Sequence, residues 1–357
     1  MTISTEERTY PSYAHPLWRR ALLSRESAVI ALVVAVTLWA IYEVAYFGSQ
    51  LTMTFLFLDI APILLIALPM TAIIVTGEID LSVASVVGLS SALLGVLVDH
   101  GWAVPTAAIV CVLAGVLCGS LNGFLVAYVG LPSLAVTIGT LALFRGIAVG
   151  ILGTTAITSF PGRWTSFAKA EIGSTGIPVI TVAFVVLAVV FTLVLHFSSF
   201  GRGVYDIGLN SEAAEFTGVP VRRTKFVLFV LSATVSAFAG VYFTLRFTSS
   251  RGDNATGLEL QVIAAVLLGG VSIFGGRGKL HGVVAGVLLI GVLSSALRLQ
   301  GVTVNVINII IGLLLVASVM STSVLTWVSQ TTSRRNNRGD RPALAPAGVD
   351  TTREVDQ

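Results

Sequence analysis

Long apolar runs separated by short polar segments dominate the chain between residues 28 and 322. A helix needs roughly 18 to 25 consecutive apolar residues to cross a bilayer. By that measure the pattern predicts ten spans, to within several residues, at 28–47, 55–76, 81–98, 103–127, 132–152, 178–198, 226–246, 258–274, 280–299 and 302–322. The sequence therefore predicts an all-α, polytopic membrane protein, with a tail at 1–27, a transmembrane domain at 28–322 and a second tail at 323–357. We expect this second tail to be disordered, because it is polar and lacks apolar periodicity.

The distribution of lysine and arginine predicts the orientation of these spans. If the amino terminus lies inside, the inner segments hold fifteen of these residues and the outer loops hold three, Arg163, Lys169 and Arg251. Cytoplasmic loops carry the excess of positive charge in membrane proteins. The asymmetry thus predicts an even number of crossings with both termini in the cytoplasm.

One long polar segment, residues 198–225, interrupts the apolar runs and falls on the predicted inner side. Its centre has the pattern of a short capped helix, because the side chains of Asn210 and Ser211 can accept hydrogen bonds from backbone amides of the first turn. Glu212 would favour the same helix end through the helix dipole, and Gly218 with Pro220 would end the helix. The segment is either a solvated connection or a docking helix for a cytoplasmic partner. The candidate docking residues are Asn210, Ser211, Glu212, Ala213, Ala214 and Gly218.

The composition excludes a soluble protein and gives no support to a metal or disulfide site. Hydrophobic residues make up 55% of the chain and charged residues 11%, whereas soluble domains carry about 25% charged residues. Cys111 and Cys118 lie seven residues apart in one apolar run, so a helix would separate them by roughly 10 Å, which is too far for a disulfide. The four histidines are scattered without ligand spacing.

Two carboxylates in the motif Gly77-Glu-Ile-Asp-Leu-Ser82 lie between apolar runs. An ionised carboxylate next to hydrocarbon is costly, so Glu78 and Asp80 should face a water-filled cavity, a cation or the membrane surface. Gly77 permits a helix break, and either Asp80 or Ser82 could cap the helix that follows. The motif is either a short cytoplasmic turn or a broken helix that lines a route for a polar solute.

Other polar side chains within the apolar runs extend the candidate route. Arg145 lies in the middle of the fifth predicted span and requires a carboxylate or carbonyl partner, for which Asp80 and Glu78 are candidates. Such a contact could be purely structural, and each hydroxyl or amide could equally hydrogen-bond a neighbouring helix. The candidate path residues are Glu78, Asp80, Ser82, Asn122, Thr137, Thr140, Arg145 and Asn305.

A faint internal repeat relates two parts of the chain. The tetrapeptide AGVL begins at Ala114 and at Ala285, and in each case a glycine follows sixteen residues after the alanine, at Gly130 and Gly301. The match relates the fourth and fifth predicted spans to the ninth and tenth, an odd offset of five spans. Two such halves would have opposite orientations, as in the inverted repeats of many transporters.

Motifs of catalysis are absent from the sequence. There is no G-x-x-x-x-G-K-[ST] loop for ATP, since the nearest fragment, which ends at Lys279, is followed by Leu280. There is also no H-E-x-x-H and no G-x-S-x-G with partner residues. We therefore expect a chain without enzymatic activity and without a cofactor of its own.

Four stretches together resemble the permease subunits of bacterial ABC importers for monosaccharides, of the ribose, xylose and rhamnose type, which are related to branched-chain amino-acid permeases. They are GEIDLSVASVVGLSSALLG at 77–95, GSLNGFLVAYVGLPSLAVTIGTLALFRGIA at 119–148, and the segments 201–241 and 260–293. The resemblance implies a location in the bacterial cytoplasmic membrane and identifies SEAAEFTG, residues 211–218, as the helix that couples to an ATPase. Two positions depart from the family: Glu78 stands where glycine is more usual, and Asp206 where a small residue is usual.

The resemblance also implies the partners. These are a cytoplasmic ATPase that holds ATP and magnesium, a second permease subunit, an extracytoplasmic sugar-binding protein and the surrounding lipid, with no nucleic acid. The GEIDLS motif favours rhamnose or another deoxy sugar, including the substrate of the related autoinducer-2 importers. Two other classes stay open, a secondary transporter driven by an ion gradient and a membrane scaffold that carries no solute.

Overall fold

The computed structural model describes residues 25–336, and these residues are almost entirely helical. The helices are α1 (Arg25–Glu43), α2 (Gln50–Val75), α3 (Val83–Asp99), α4 (Val104–Ala127), α5 (Ser133–Leu152), α6 (Gly162–Lys169), α7 (Ile180–Phe197), α8 (Ser199–Leu209), α9 (Ser211–Phe216), α10 (Val221–Phe247), α11 (Leu258–Leu268), α12 (Leu280–Leu299) and α13 (Val304–Asn336). Within the described range β pairing is limited to two isolated bridges, Ile157 with Ser250 and Glu171 with Pro178. The prediction of an all-α polytopic protein is confirmed.

Each of the ten predicted spans corresponds to one helix, but the ten helices differ in length. In the described part of the chain, α1, α2, α4, α5, α7, α10 and α12 are long and apolar enough to cross a membrane, whereas α3, α11 and the apolar part of α13 are shorter. The eleven residues of α11 give a length of about 16 Å, roughly half of the hydrocarbon thickness. The predicted continuation of this span to residue 274 is wrong, because the helix ends before Gly269 and Gly270, and Gly270 has a φ of 90°.

The last helix is longer than the apolar pattern indicated. Helix α13 continues to Asn336, beyond the apolar run, and the disorder of the second tail stays a prediction. No glycine or proline occurs between Gly312 and Gly339, and the chain therefore contains no residue that would end the helix earlier. The chain divides into two compact units at this helix, one ending at Leu315 and the other beginning at Val316. Most of the two predicted tails, residues 1–24 and 337–357, lie outside the described residues.

Helix α2 forms the centre of the first unit and is buried along most of its length. It contains two internal prolines, Pro62 and Pro69. Proline lacks an N–H group, so Pro62 leaves the carbonyl of Leu58 without its helical donor. The hydroxyl of Tyr242 on α10 donates to this carbonyl at 3.1 Å. The backbone carbonyl that Pro62 leaves without a helical donor is thus satisfied by a neighbouring helix.

Helices α4 and α10 approach each other along a row of glycines, Gly115, Gly119 and Gly123, at intervals of four residues. A Cβ atom added at Gly119 would lie 2.6 Å from the carbonyl oxygen of Phe229 and 2.7 Å from the Cα of Val230. Small residues at such spacing allow two helix backbones to come into contact in membranes. This row therefore sets the distance between α4 and α10.

Two groups of three helices show the same packing. In one group α10 packs against α3 and α4, and in the other α2 packs against α11 and α12. Along the chain, α2 is followed by an irregular break, the short α3 and the long α4, and α10 is followed in the same order by a break, the short α11 and the long α12. This similarity supports the correspondence of α4 with α12 that the faint repeat indicated. The opposite orientation of the two halves stays a prediction.

Candidate functional site

The break between α2 and α3, residues 76–82, holds a buried carboxylate. Gly77 has a φ of 82°, which a residue with a side chain rarely adopts and which turns the chain out of α2. Asp80 is fully buried, and its Oδ1 accepts hydrogen bonds from the amide of Ser82 at 3.0 Å and from its hydroxyl at 2.6 Å. Oδ2 accepts from the hydroxyl of Ser232 on α10 at 3.1 Å. Ser82 occupies the cap position of α3 but makes no side-chain cap bond, so capping by Ser82 is wrong, whereas the bond from the amide of Ser82 to Asp80 agrees with the other alternative. Asp80 orders the turn before the helix.

Asn122 on α4 completes this cluster of polar side chains, which we call the Asp80 cluster (Asp80, Ser82, Asn122 and Ser232). Its Nδ2 donates to the hydroxyl of Ser82 at 2.8 Å, whereas its buried Oδ1 has no hydrogen-bond partner. All four side chains are buried. In this state of the protein the cluster connects three helices and is closed to solvent, so its service as part of a solute path stays a proposal.

The neighbouring residues of the break are held by two other helices. Glu78 forms an ion pair with Lys225 on α10, and the two side chains are 16% and 18% exposed. The amide of Ile79 donates to the hydroxyl of Ser133 at 3.2 Å, and its carbonyl accepts from Thr137 at 3.2 Å. The break is therefore fixed between α5 and α10.

Arg145 on α5 reaches backbone carbonyls rather than a carboxylate. Its Nη1 donates to the carbonyls of Gly252 at 2.9 Å and Asn254 at 2.6 Å, and its Nη2 donates to Ala84 at 3.2 Å. The expectation of a carbonyl partner is confirmed. Asp80 and Glu78 were wrong as candidates, because hydroxyl donors surround the first and Lys225 pairs with the second.

A second break, residues 248–257 between α10 and α11, was missed by sequence reasoning. Asn254 donates to the hydroxyl of Ser91 on α3 at 2.8 Å, and the hydroxyl of Ser250 donates to the carbonyl of Ser91 at 2.7 Å.

Arg251 and Asp253 form an exposed ion pair here, and the hydrogen bond from this guanidinium lowers the pKa of Asp253. The stretch RGDNATG at 251–257 could have indicated the break, since it places glycine, aspartate and asparagine between two apolar runs. Because Arg145 donates to Gly252 and Asn254 in this break and to Ala84 on α3, it connects the second break to the start of α3.

The polar segment 198–225 forms two short helices, α8 and α9. The Oδ1 of Asn210 accepts a hydrogen bond from the amide of Ala213 at 2.9 Å, which confirms the predicted cap. The helix ends at Phe216, and Gly218 follows with a φ of 87°. Of the candidate docking residues, Ala214 points inward and is 3% exposed, and the others are on the surface. Sequence reasoning missed Phe216, which is 93% exposed.

Helix α8, the first helix of this segment, packs tightly against the end of α2. Gly208 lies so close to the carbonyl of Val75 and to Gly276 that a Cβ atom would not fit. The amide of Gly276 donates to that carbonyl at 2.8 Å, and the hydroxyl of Tyr205 donates to the carbonyl of Gly278 at 2.7 Å. The segment 198–225 therefore contacts both the end of α2 and the glycine-rich loop that follows α11.

The structure gathers only part of the predicted path. Thr140 donates to the carbonyl of Thr137 within α5, while Asn305 is exposed near the start of α13.

A separate polar pocket of about 90 Å³ lies among α2, α11, α12 and α13. There Asp59 accepts from Arg246 at 3.1 Å and from Arg298 at 3.0 Å. Sequence reasoning did not single out Asp59, which lies within the second predicted span.

The cysteines behave as apolar side chains. Cys111 and Cys118 are both buried free thiols on α4. Burial raises the free energy of a thiolate, so neither thiol is suited to act as a nucleophile. Within residues 25–336 no group of three or more histidine, cysteine, aspartate or glutamate side chains could hold a metal ion.

The long apolar helices, the two breaks and the polar segment together define the class of the protein, a multi-pass membrane protein with the plan of a transport subunit. The chain belongs to the family described as branched-chain amino acid transport system / permease component, which matches residues 52–319. It is similar to the autoinducer 2 import system permease protein LsrD of Salmonella typhimurium, with 34% identity over 339 residues, 89% of this chain and 98% of the relative. LsrD of Escherichia coli is 37% identical over 266 residues, 73% of this chain and 80% of the relative. No solved structure is significantly similar.

Proposed function

We propose that this chain is a permease subunit of an ATP-binding cassette importer that carries a sugar-like solute across the bacterial cytoplasmic membrane. The observation that carries the proposal is α9, a capped helix with an exposed phenylalanine in the long polar segment between two apolar helices. Exposed aromatic side chains, phenylalanine among them, are enriched in protein interfaces. The relatives are named as permeases of an import system, which supports the same function.

The ATPase would dock on α9 from the cytoplasm and would hold the ATP and magnesium. In this arrangement both termini are cytoplasmic, a second permease subunit completes the path, and an extracytoplasmic binding protein delivers the solute. Closure of the ATPase on its nucleotide would displace α9. Because α8 is pressed against the end of α2 and α10 begins shortly after α9, the displacement would reach the helices beside both breaks.

For the substrate we propose a compound of the autoinducer-2 type or a related small sugar. The support is the printed name of the relatives, since the identity extends over most of this chain. A thermal-shift titration of the cognate binding protein with autoinducer-2, rhamnose and ribose measures this directly. We expect the largest shift with autoinducer-2. A larger shift with rhamnose would contradict this choice and would leave the importer function intact.

Replacing Phe216 by serine should weaken the docking of the ATPase. The exposed ring would lose its apolar contact, and anchors of this kind cost about 2 kcal/mol or more when truncated, or roughly thirtyfold in affinity. The measurement is ATP-dependent uptake in vesicles together with co-purification of the ATPase. Phe167 on α6 is also exposed and lies on the predicted outer side, so the replacement of Phe167 by serine is the matched control.

The outcomes separate the candidate functions. Uptake that requires the ATPase and is reduced by the Phe216 variant, but not by the Phe167 variant, supports the importer. Uptake that needs no ATPase and collapses with the ion gradient would show a secondary transporter instead. A complete absence of flux with every partner present would favour a scaffold.

A further inference from the structure

The ion pair between Glu78 and Lys225 joins the break after α2 to the last residue of the polar segment 198–225. The two side chains are 16% and 18% exposed, which sets the pair apart from the surface pair of Arg251 and Asp253, at 56% and 61%. Attraction between opposite charges is stronger where water is largely excluded. In the described part of the chain, neither Glu78 nor Lys225 has a second ion-pair partner.

The connection from α9 to Lys225 is short and stiff. The amide of Val219 donates to the carbonyl of Ala214 at 3.0 Å, and the amide of Thr224 donates to that of Pro220 at 2.9 Å. The first bond folds the turn back onto α9 and the second starts α10. Lys225 lies on the second turn of α10, so a movement of α9 reaches its side chain without passing through a flexible linker.

The other end of the ion pair lies at the start of the break. The amide of Glu78 donates to the carbonyl of Ile73 at 3.2 Å, so this residue continues from the last turn of α2. Two residues later, Asp80 accepts from Ser232 of α10. Ser232 follows Lys225 by seven residues and therefore lies on the same face of the helix. One face of α10 thus holds both carboxylates of the motif.

We infer that Glu78 and Lys225 are positioning residues that transmit the displacement of α9 to the break between α2 and α3. A packing contact alone can push this break, whereas an ion pair resists separation and can also pull it when α9 moves away. Through this pair, the movement of α9 in either direction would move the break between α2 and α3. This inference rests on the proposed function, because it requires an ATPase that moves α9.

A charge-reversal series in the reconstituted importer tests the inference. The variants are Glu78→Gln, Lys225→Gln and the double variant Glu78→Lys with Lys225→Glu. The readout is the amount of solute carried for each ATP hydrolysed, which a purely structural role would not change in the assembled complex. We expect each single variant to lower this ratio about fivefold, the lower end of typical coupling between two sites. The double variant should restore it to within about twofold of the wild type.

The neutral pair Arg251→Gln with Asp253→Asn is the matched control and should leave the ratio unchanged, because that pair is exposed and lies in the other break. Unchanged ratios in both single variants would overturn the inference. So would a loss in Glu78→Gln alone without rescue by charge reversal, which would indicate a direct contact with the solute. If a single variant fails to assemble, the double variant decides, since restored assembly without restored coupling also overturns the inference. A wild type that lacks ATP-dependent uptake would refute the proposed function itself.

Discussion

Replacing Gly119 by valine is expected to separate α4 from α10 and to destabilise the protein by about 3 kcal/mol, the upper part of the usual cost of overpacking. The added Cβ would meet the carbonyl oxygen of Phe229 at 2.6 Å and the Cα of Val230 at 2.7 Å. Both obstacles are backbone atoms, so no change of side-chain conformation can relieve the clash. The melting temperature of the purified protein should fall by about 5 °C or more.

Gly139 on α5 provides a control for this experiment. It also lies inside a long helix, but a Cβ atom added there would have no heavy atom of another segment within 4 Å. Gly139→Val introduces the same side chain into open space and should leave the melting temperature close to that of the wild type. Equal melting temperatures for the two variants would show that the glycine row does not set the distance between α4 and α10.

Replacing Arg145 by methionine is expected to release both the second break and the start of α3. Three backbone carbonyls, those of Gly252, Asn254 and Ala84, would lose a charged donor. Hydrogen bonds to charged groups contribute about 1.5–3 kcal/mol each, so the combined loss should exceed about 3 kcal/mol. Hydrogen exchange should become faster at residues 248–257, and the melting temperature should fall.

Arg251→Gln is the comparison for this variant, since it removes a nearby guanidinium whose ion pair is exposed. Exposed pairs contribute about 0–1 kcal/mol. Its exchange pattern should therefore resemble that of the wild type. If Arg145→Met exchanged no faster than Arg251→Gln at residues 248–257, the three hydrogen bonds would not be what holds this break.

The sequence predicts well those features that depend on neighbouring residues. The ten apolar runs follow from local hydropathy, and the cap at Asn210 follows from a side chain three residues away from its donor. The early end of α11 was also a local signal, a pair of glycines, but the apolar residues beyond them concealed it. Helix α13 extends past its apolar signal, in a stretch that contains no glycine or proline to end it.

The sequence does not predict contacts between distant segments. Arg145 was expected to reach a carboxylate or a carbonyl, but the sequence could not say which carbonyls, because every residue carries one and no motif marks it. Glu78 and Lys225 are 147 residues apart, and only the packing of α10 against α2 and α3 brings them together. The proposed solute path depends on such contacts as well, because Asp80, Ser82 and Asn122 are buried and hydrogen-bonded to side chains distant in sequence.

The missing amide of Pro62 has a mechanical consequence. Tyr242 donates to the carbonyl that this proline leaves without a helical donor, and both residues are buried in the protein, where water offers no substitute donor. If α10 slid along α2 by one turn, about 5.4 Å, the hydrogen bond between the hydroxyl of Tyr242 and the carbonyl of Leu58 would be lost. The hydrogen bond from Tyr242 therefore marks one register of α10 against α2, and any shift of the two helices past each other has to break it.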